Sequence, residues 1–135
     1  MSLTIGRTAE FTKTISLADV YAFAAASGDR NPVHLEASYA ENTVFGGRIA
    51  HGLLVAGLIS AVLGNTLPGP GTIYLGQELR FKAPVYIGDS VTARVEVIEL
   101  RPDKRIATLS TNCYNQDGKI LIDGKAVVQY PQSEE

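Results

Sequence analysis

With 135 residues the chain has the length of one domain, and folding would bury roughly 68% of its extended surface, so the core needs no disulfide or metal staple. Its 12 basic and 14 acidic residues, for a formal net charge of -2, form no basic stripe or arginine-rich arm, which argues against nucleic-acid binding. One cysteine, Cys113, excludes an intrachain disulfide and a thiolate-rich metal site, and with only His34 and His51 as histidines no metal centre is expected.

One domain is expected to span residues 1–135. The opening Met-Ser-Leu-Thr-Ile-Gly has no charged region followed by an apolar stretch, so a reducing cytoplasm is the expected location. Phe11, Lys13 and Ile15 alternate with Thr12 and Thr14 as a weak first strand. Ser16 then opens a helix through a Ser-x-x-Asp capping box ending at Asp19, and Ser27-Gly28 stops it. A short helical turn is expected around Glu36 to Glu41, and Gly46-Gly47 breaks the chain again. From Ile49 to Leu63 the chain is apolar apart from His51 and Ser60. These 15 residues fall short of the roughly 20 needed to cross a bilayer, so they predict a core helix apolar nearly all round, enclosed by something else, with Gly64 as its C-cap.

After Pro68-Gly69-Pro70-Gly71 the period changes to two. Thr72 to Phe81, Ser90 to Leu100, Arg105 to Asn115 and Lys119 to Tyr130 predict long antiparallel strands, separated by turns at Gly88-Asp89, Pro102-Asp103 and Asp117-Gly118. Strands of that length favour a curved sheet able to wrap around a buried helix. Cys113 falls in the alternating segment Leu109 to Tyr114, where a small, half-buried strand residue is expected rather than a nucleophile. A polar tail follows at Gln132 to Glu135.

The stretch Gly28 to Glu36 carries the chemistry. Pro32 removes a backbone donor and biases Asn31 toward extended geometry, so Asp29 and His34 are expected on an irregular loop that sets their separation. A carboxylate and an imidazole held together can supply both an acid and a base. The same residues also fit a plain turn, with Asp29 closing an Asx turn at the helix end and Asn31-Pro32 as an ordinary turn signal.

The loop Gly28-Asp29-x-Asn31-Pro32-x-His34, then Ile49-Ala50-His51-Gly52-Leu53-Leu54, Ile73-Tyr74-Leu75-Gly76-Gln77, Leu79-Arg80-Phe81-Lys82-Ala83-Pro84-Val85 and Gly88-Asp89-Ser90-Val91 together resemble the MaoC-type R-specific enoyl-CoA hydratases of hot-dog fold. The likeness runs in order and spacing from about Ile5 to Pro131 and is nearest to the short bacterial hydratases that feed polyhydroxyalkanoate synthesis. The loop and the His-Gly helix start are its specific parts. The Gly-Asp-Ser-Val turn is shared with many hot-dog thioesterases.

The resemblance implies an α+β fold, a single hot-dog domain in which a curved antiparallel sheet of about five strands wraps around a central buried helix. It implies reversible hydration of trans-2-enoyl-CoA to (R)-3-hydroxyacyl-CoA, with Asp29 and His34 as the catalytic pair acting on one water and Asn31 holding their loop. The Gly52 amide is expected to bind the thioester carbonyl. That role also has a physical basis, since an orphan amide reinforced by the helix dipole is where a developing enolate oxygen is stabilised. Ser60 and Leu63 are implied to line the acyl pocket. Tyr74, Gly76 and Gln77 are expected to pass the thioester arm, and Arg48, Arg80 and Lys82 are the nearest cations for coenzyme A phosphates. His51 is expected to be structural, its ring donating a hydrogen bond near the cap, and Val44 is a candidate for shaping the acyl pocket. No cofactor or metal is implied, and a homodimer is. A dehydratase acting on acyl carrier protein, a hot-dog acyl-CoA thioesterase and a non-catalytic acyl-thioester binding protein are the competing readings.

Overall fold

The Ser16 side chain accepts from the Asp19 amide at 3.1 Å, and the Asp19 carboxylate accepts from the Ser16 amide at 2.9 Å, so the expected capping box starts α1 (Leu17–Ser27). That backbone hydrogen bond is the main reason the Asp19 carboxyl is held below the ordinary carboxylate range. Gly28 ends the helix in left-handed backbone (φ 83°), which glycine adopts without steric cost. The computed structural model describes residues 3–132, so the polar tail beyond Gln132 lies outside the described residues.

Five strands, β1 (Thr8–Thr14), β2 (Ile73–Phe81), β3 (Ser90–Arg101), β4 (Ile106–Tyr114) and β5 (Ile120–Gln129), form one antiparallel sheet in the order β1-β3-β4-β5-β2. The four strands after Thr72 fall where the period of two predicts them, whereas β1 begins at Thr8, ahead of the expected Phe11, and ends at Thr14, leaving Ile15 outside it. In β3 the alternation buries Val91, Ala93, Val95 and Val97, and in β4 it buries Ala107, Leu109, Thr111 and Cys113. Cys113 is therefore fully buried rather than half-buried, and burial pushes its thiol up to about 12.

The apolar helix α4 (Gly52–Asn65) packs against β3, β1 and β4, its Val55, Ile59, Val62 and Leu63 joining the inward-facing strand residues in one core. This is the hot-dog arrangement of a sheet around a helix. Two details differ from expectation. Gly64 is not the C-cap: the helix continues through Asn65 and stops at Thr66, where the Thr66 and Leu67 amides both donate to the Val62 carbonyl. Nor is α4 enclosed all round, because Leu53, Gly57 and Ser60 remain exposed, with Leu53 at 61%.

The segment after Gly28 also departs from the expected irregular loop. Pro32–Leu35 form one helical turn, α2, followed by α3 (Ala37–Glu41). Pro32 does not prevent that turn because it occupies the first helical position, where its missing N–H would lack a partner anyway and its fixed φ suits the helix.

Gly124, inside β5, has a steric role that no turn signal announces. A Cβ there would lie 1.9 Å from the Glu78 carbonyl oxygen on β2, which cannot move without breaking the β2–β5 ladder. Gly124→Ala is expected to destabilise the fold by at least ~1–3 kcal/mol. Urea denaturation would show this as a lowered midpoint at nearly unchanged slope.

Candidate active site

From Ser27 to Val33 every second residue is held by the side chain two places before it. The Ser27 hydroxyl accepts from the Asp29 amide (3.0 Å), the Asp29 carboxylate from the Asn31 amide (3.2 Å), and the Asn31 side chain from the Val33 amide (3.2 Å), which caps α2. Asp29 thus does close an Asx turn, but only one carboxylate oxygen is used in doing so.

His34, on α2, is buried, and its Nδ1 lies 2.7 Å from the Ile49 carbonyl oxygen. A carbonyl only accepts, so Nδ1 carries the hydrogen and the lone pair of the ring sits on Nε2. The Ile49 carbonyl belongs to an extended strap that is fixed from both sides. The Ile49 amide donates to the Val33 carbonyl (3.3 Å), Ile49 bridges to Tyr86, and the Ala50 amide donates to the Val85 carbonyl (2.7 Å).

The strap delivers His51 to the N-cap position of α4. His51 is also buried. Its Nε2 lies 3.0 Å from the Asp29 backbone carbonyl oxygen, its ring stacks on His34 (centroids 3.9 Å apart, planes 29° apart), and its other neighbour is the Phe23 ring at 4.8 Å. Gly52 follows as the first helical residue. The intrahelical bonds begin with the Leu54 and Val55 amides, both donating to the His51 carbonyl, so the Gly52 amide stands ahead of the ladder. A side chain at Gly52 would meet the Phe81 ring at 2.5 Å, which accounts for glycine there.

A carboxylate oxygen of Asp29 and a ring nitrogen of each histidine lie within 4.8 Å of one another. They share a cavity of about 510 Å³ with Gly52, walled by apolar side chains that include Phe45, Ile49, Phe81 and Val85. Metal coordination suits this set poorly. An imidazole lone pair lies in its ring plane, and two near-parallel stacked rings do not direct both lone pairs at one ion over the ~2.0–2.1 Å of a zinc–nitrogen bond. Proton exchange between a carboxylate, a water and the His34 Nε2 needs no such convergence.

The other expected site residues divide into groups. Ser60, Tyr74, Gly76 and Gln77 line a second, more open cavity of about 400 Å³ between α4 and β2, and Leu53 borders both cavities. There the Tyr74 hydroxyl donates to the Gln77 side chain, whose amide donates to Thr111 on β4 (3.0 Å), and desolvation raises the Tyr74 phenol. Leu63, only 1% exposed, is a core residue and lines neither cavity. Lys82 lines the first cavity and lies 3.9 Å from Asp123. Arg48 and Arg80 line neither; the Arg48 guanidinium reaches the Tyr21 hydroxyl and the Leu35 carbonyl instead. Val44 is 95% exposed at a loop tip, while its neighbour Phe45 enters the first cavity wall. Phe45 and Phe81 are aromatic lining residues that sequence reasoning did not place at the site: Phe45 stands in no motif, and although Phe81 lies within the Leu79 to Val85 motif, only the tertiary fold brings either ring to the cavity.

Residues 2–115 match the profile of the family described as MaoC like domain. An (R)-specific enoyl-CoA hydratase of Rhodospirillum rubrum is 55% identical over 126 residues, covering 93% of this chain and 87% of that protein. The solved (R)-hydratase of Aeromonas caviae involved in PHA biosynthesis superposes with a TM-score of 0.94 at 52% identity, over 96% of this chain and 98% of that one. A mitochondrial 3-hydroxyacyl-[acyl-carrier-protein] dehydratase of Solanum lycopersicum is more distant, at 38% identity over 96% of this chain and 78% of that protein.

Proposed function

The chain belongs to the MaoC-like family, and from that premise we propose that it is an R-specific enoyl-CoA hydratase, adding water to trans-2-enoyl-CoA to give (R)-3-hydroxyacyl-CoA, and reversing that reaction. The observation that carries the reading is the Asp29 carboxylate beside an imidazole whose free lone pair is assigned to Nε2, both opening into one apolar cavity with the Gly52 amide.

In this proposal Asp29 and His34 hold one water between them. As the water oxygen bonds to the β carbon, one of its protons passes to the pair, the alkene π electrons move toward the thioester, and charge grows on the carbonyl oxygen. The Gly52 amide and the positive end of α4 stabilise that oxygen. The pair then returns a proton to the α carbon on the same face, so the atoms of one water are added across the double bond and both groups regain their starting state. The apolar walls exclude competing water and strengthen these interactions.

Ser60, Tyr74, Gly76 and Gln77 lie far enough along α4 and β2 to meet another part of the substrate, and Lys82 is the best placed of the three cations for a coenzyme A phosphate. The more distant match to an acyl-carrier-protein dehydratase ranks carrier-bound substrates second. Loss of enoyl-thioester absorbance with crotonyl-CoA and an R product on chiral analysis are expected. Free thiol released from saturated acyl-CoA, without hydration of crotonyl or longer enoyl-CoA, would replace the reading with a thioesterase.

A homodimer fits the same proposal. The outer edge of β2 and the adjoining face of α4 leave Ile73, Leu75 and Leu53 more than half exposed, an apolar face beside a free strand edge that a second copy would cover. Sedimentation at micromolar concentration is expected to give twice the mass of the 14.4 kDa chain, and a monomer would count against it. No helix of the described residues is long and apolar enough to cross a membrane, in keeping with the cytoplasmic setting proposed.

A further inference from the structure

His51 has two ring nitrogens and only one partner. Nε2 meets the Asp29 carbonyl, so it must carry the hydrogen. Nδ1 is left as a buried acceptor with no hydrogen-bond partner among the described residues. Buried polar atoms are rarely left in that state, and a histidine selected only for packing would be expected to satisfy both nitrogens or to be replaced by an apolar ring. The surroundings would accept such a ring, since one neighbour is Phe23 and the other is the face of His34. The orphaned nitrogen therefore points to a function for the bond that is made.

We infer that His51 is a positioning residue for the reaction. Its Nε2–H fixes the Asp29 backbone and its ring face supports His34, while its own backbone leads directly into Gly52, so one residue ties together the three groups proposed to act on the substrate. These groups come from three places in the chain: the turn after α1, the single turn α2, and the start of α4. Without His51 no side-chain hydrogen bond among the described residues ties the Asp29 turn to α4, because its remaining bonds, through Ser27 and Asn31, are all local. Displacement of a reacting group by about 1 Å is enough to cost on the order of 10²-fold in rate. This role rests on the hydratase reading.

Two variants separate the bond from the packing. His51→Phe keeps a ring against Phe23 and His34 and removes the donor. His51→Gln removes the ring and places an amide N–H near the Nε2 position. With crotonyl-CoA, His51→Phe is expected to lower kcat by about 10- to 100-fold. KM should stay within about threefold, and the melting temperature should be nearly unchanged, because the unpartnered buried acceptor is lost together with the donor to the Asp29 carbonyl and the two effects oppose one another. His51→Gln is expected to recover most of kcat. Wild-type kcat in His51→Phe would overturn the inference, as would a loss of kcat that tracks a fall in melting temperature and is not recovered in His51→Gln. Long-range ¹H–¹⁵N spectra of the imidazoles supply a readout independent of turnover: they should show His51 protonated on Nε2, and a proton on Nδ1 instead would overturn the inference. A wild-type protein inert toward enoyl-CoA would sink the hydratase reading, and the spectrum would still decide the bond on which the role of His51 depends.

Discussion

Asp29→Asn is expected to lower kcat for crotonyl-CoA hydration by about 10²- to 10⁴-fold, the range for loss of a general acid-base group, and to leave the melting temperature nearly unchanged. The two effects separate because the carboxylate does two things. One oxygen accepts the Asn31 amide and shapes the turn, and the asparagine amide oxygen can accept the same hydrogen bond. What the amide cannot do is take up and return a proton. The Asp29 backbone carbonyl, held by His51, is untouched by the substitution. Steady-state kinetics beside a thermal melt would check this, and full turnover in the variant would remove Asp29 from the mechanism.

His34→Asn is expected to cost a similar factor by a different route. The asparagine amide nitrogen falls near the position of Nδ1 and can still donate to the Ile49 carbonyl, which keeps the strap bound to α2. The side chain then ends, and nothing occupies the place of Nε2. His34→Ala would remove both nitrogens and leave the Ile49 carbonyl without its donor, adding ~1–3 kcal/mol of destabilisation to the same catalytic loss. If both nitrogens mattered equally to the rate, His34→Asn would retain much of it. Combining Asp29→Asn with His34→Asn should cost little more than either alone, because groups sharing one water act as a unit. Rates that fall multiplicatively in the double variant would mean that the two act on separate steps.

The parts of this site that could be read from the sequence are those whose geometry is local. The capping box at Ser16, the stop at Gly28 and the candidate pair Asp29 and His34 all lie within about 20 residues, and the cap and the stop are short-range consequences of side-chain hydrogen bonding and of glycine backbone freedom, whereas the helical turn that Asn31 caps was not legible there. Period two was sufficient for all four strands after Thr72, most plainly in β3 and β4, where every second residue over most of the strand is buried, and it held even for the edge strand β2, none of whose residues is buried. What escaped is settled by packing at a distance. Gly64 has the right residue type for a cap, but the helical hydrogen bonds run past it, the Thr66 amide still donating to the Val62 carbonyl, so the helix includes Asn65 and is capped at Thr66. Leu63 and Ser60 differ in which side of α4 they occupy, and that follows from how the sheet meets the helix. Gly124 gave no local sign of its importance, since its constraint is the carbonyl of Glu78 on another strand.

The turn α2, only four residues long, could not persist in isolation, because a helix that short never recovers the cost of nucleation. Its shape is borrowed from the strap at Ile49 and Ala50, and that strap is in turn anchored to Val85 and Tyr86, beyond β2. The spatial relation of Asp29, His34 and Gly52 is thus an outcome of cooperative folding rather than of any peptide segment. Turnover should return late during refolding, after the long-range contacts of the chain have closed, and no excised fragment ending before residue 86 would carry it.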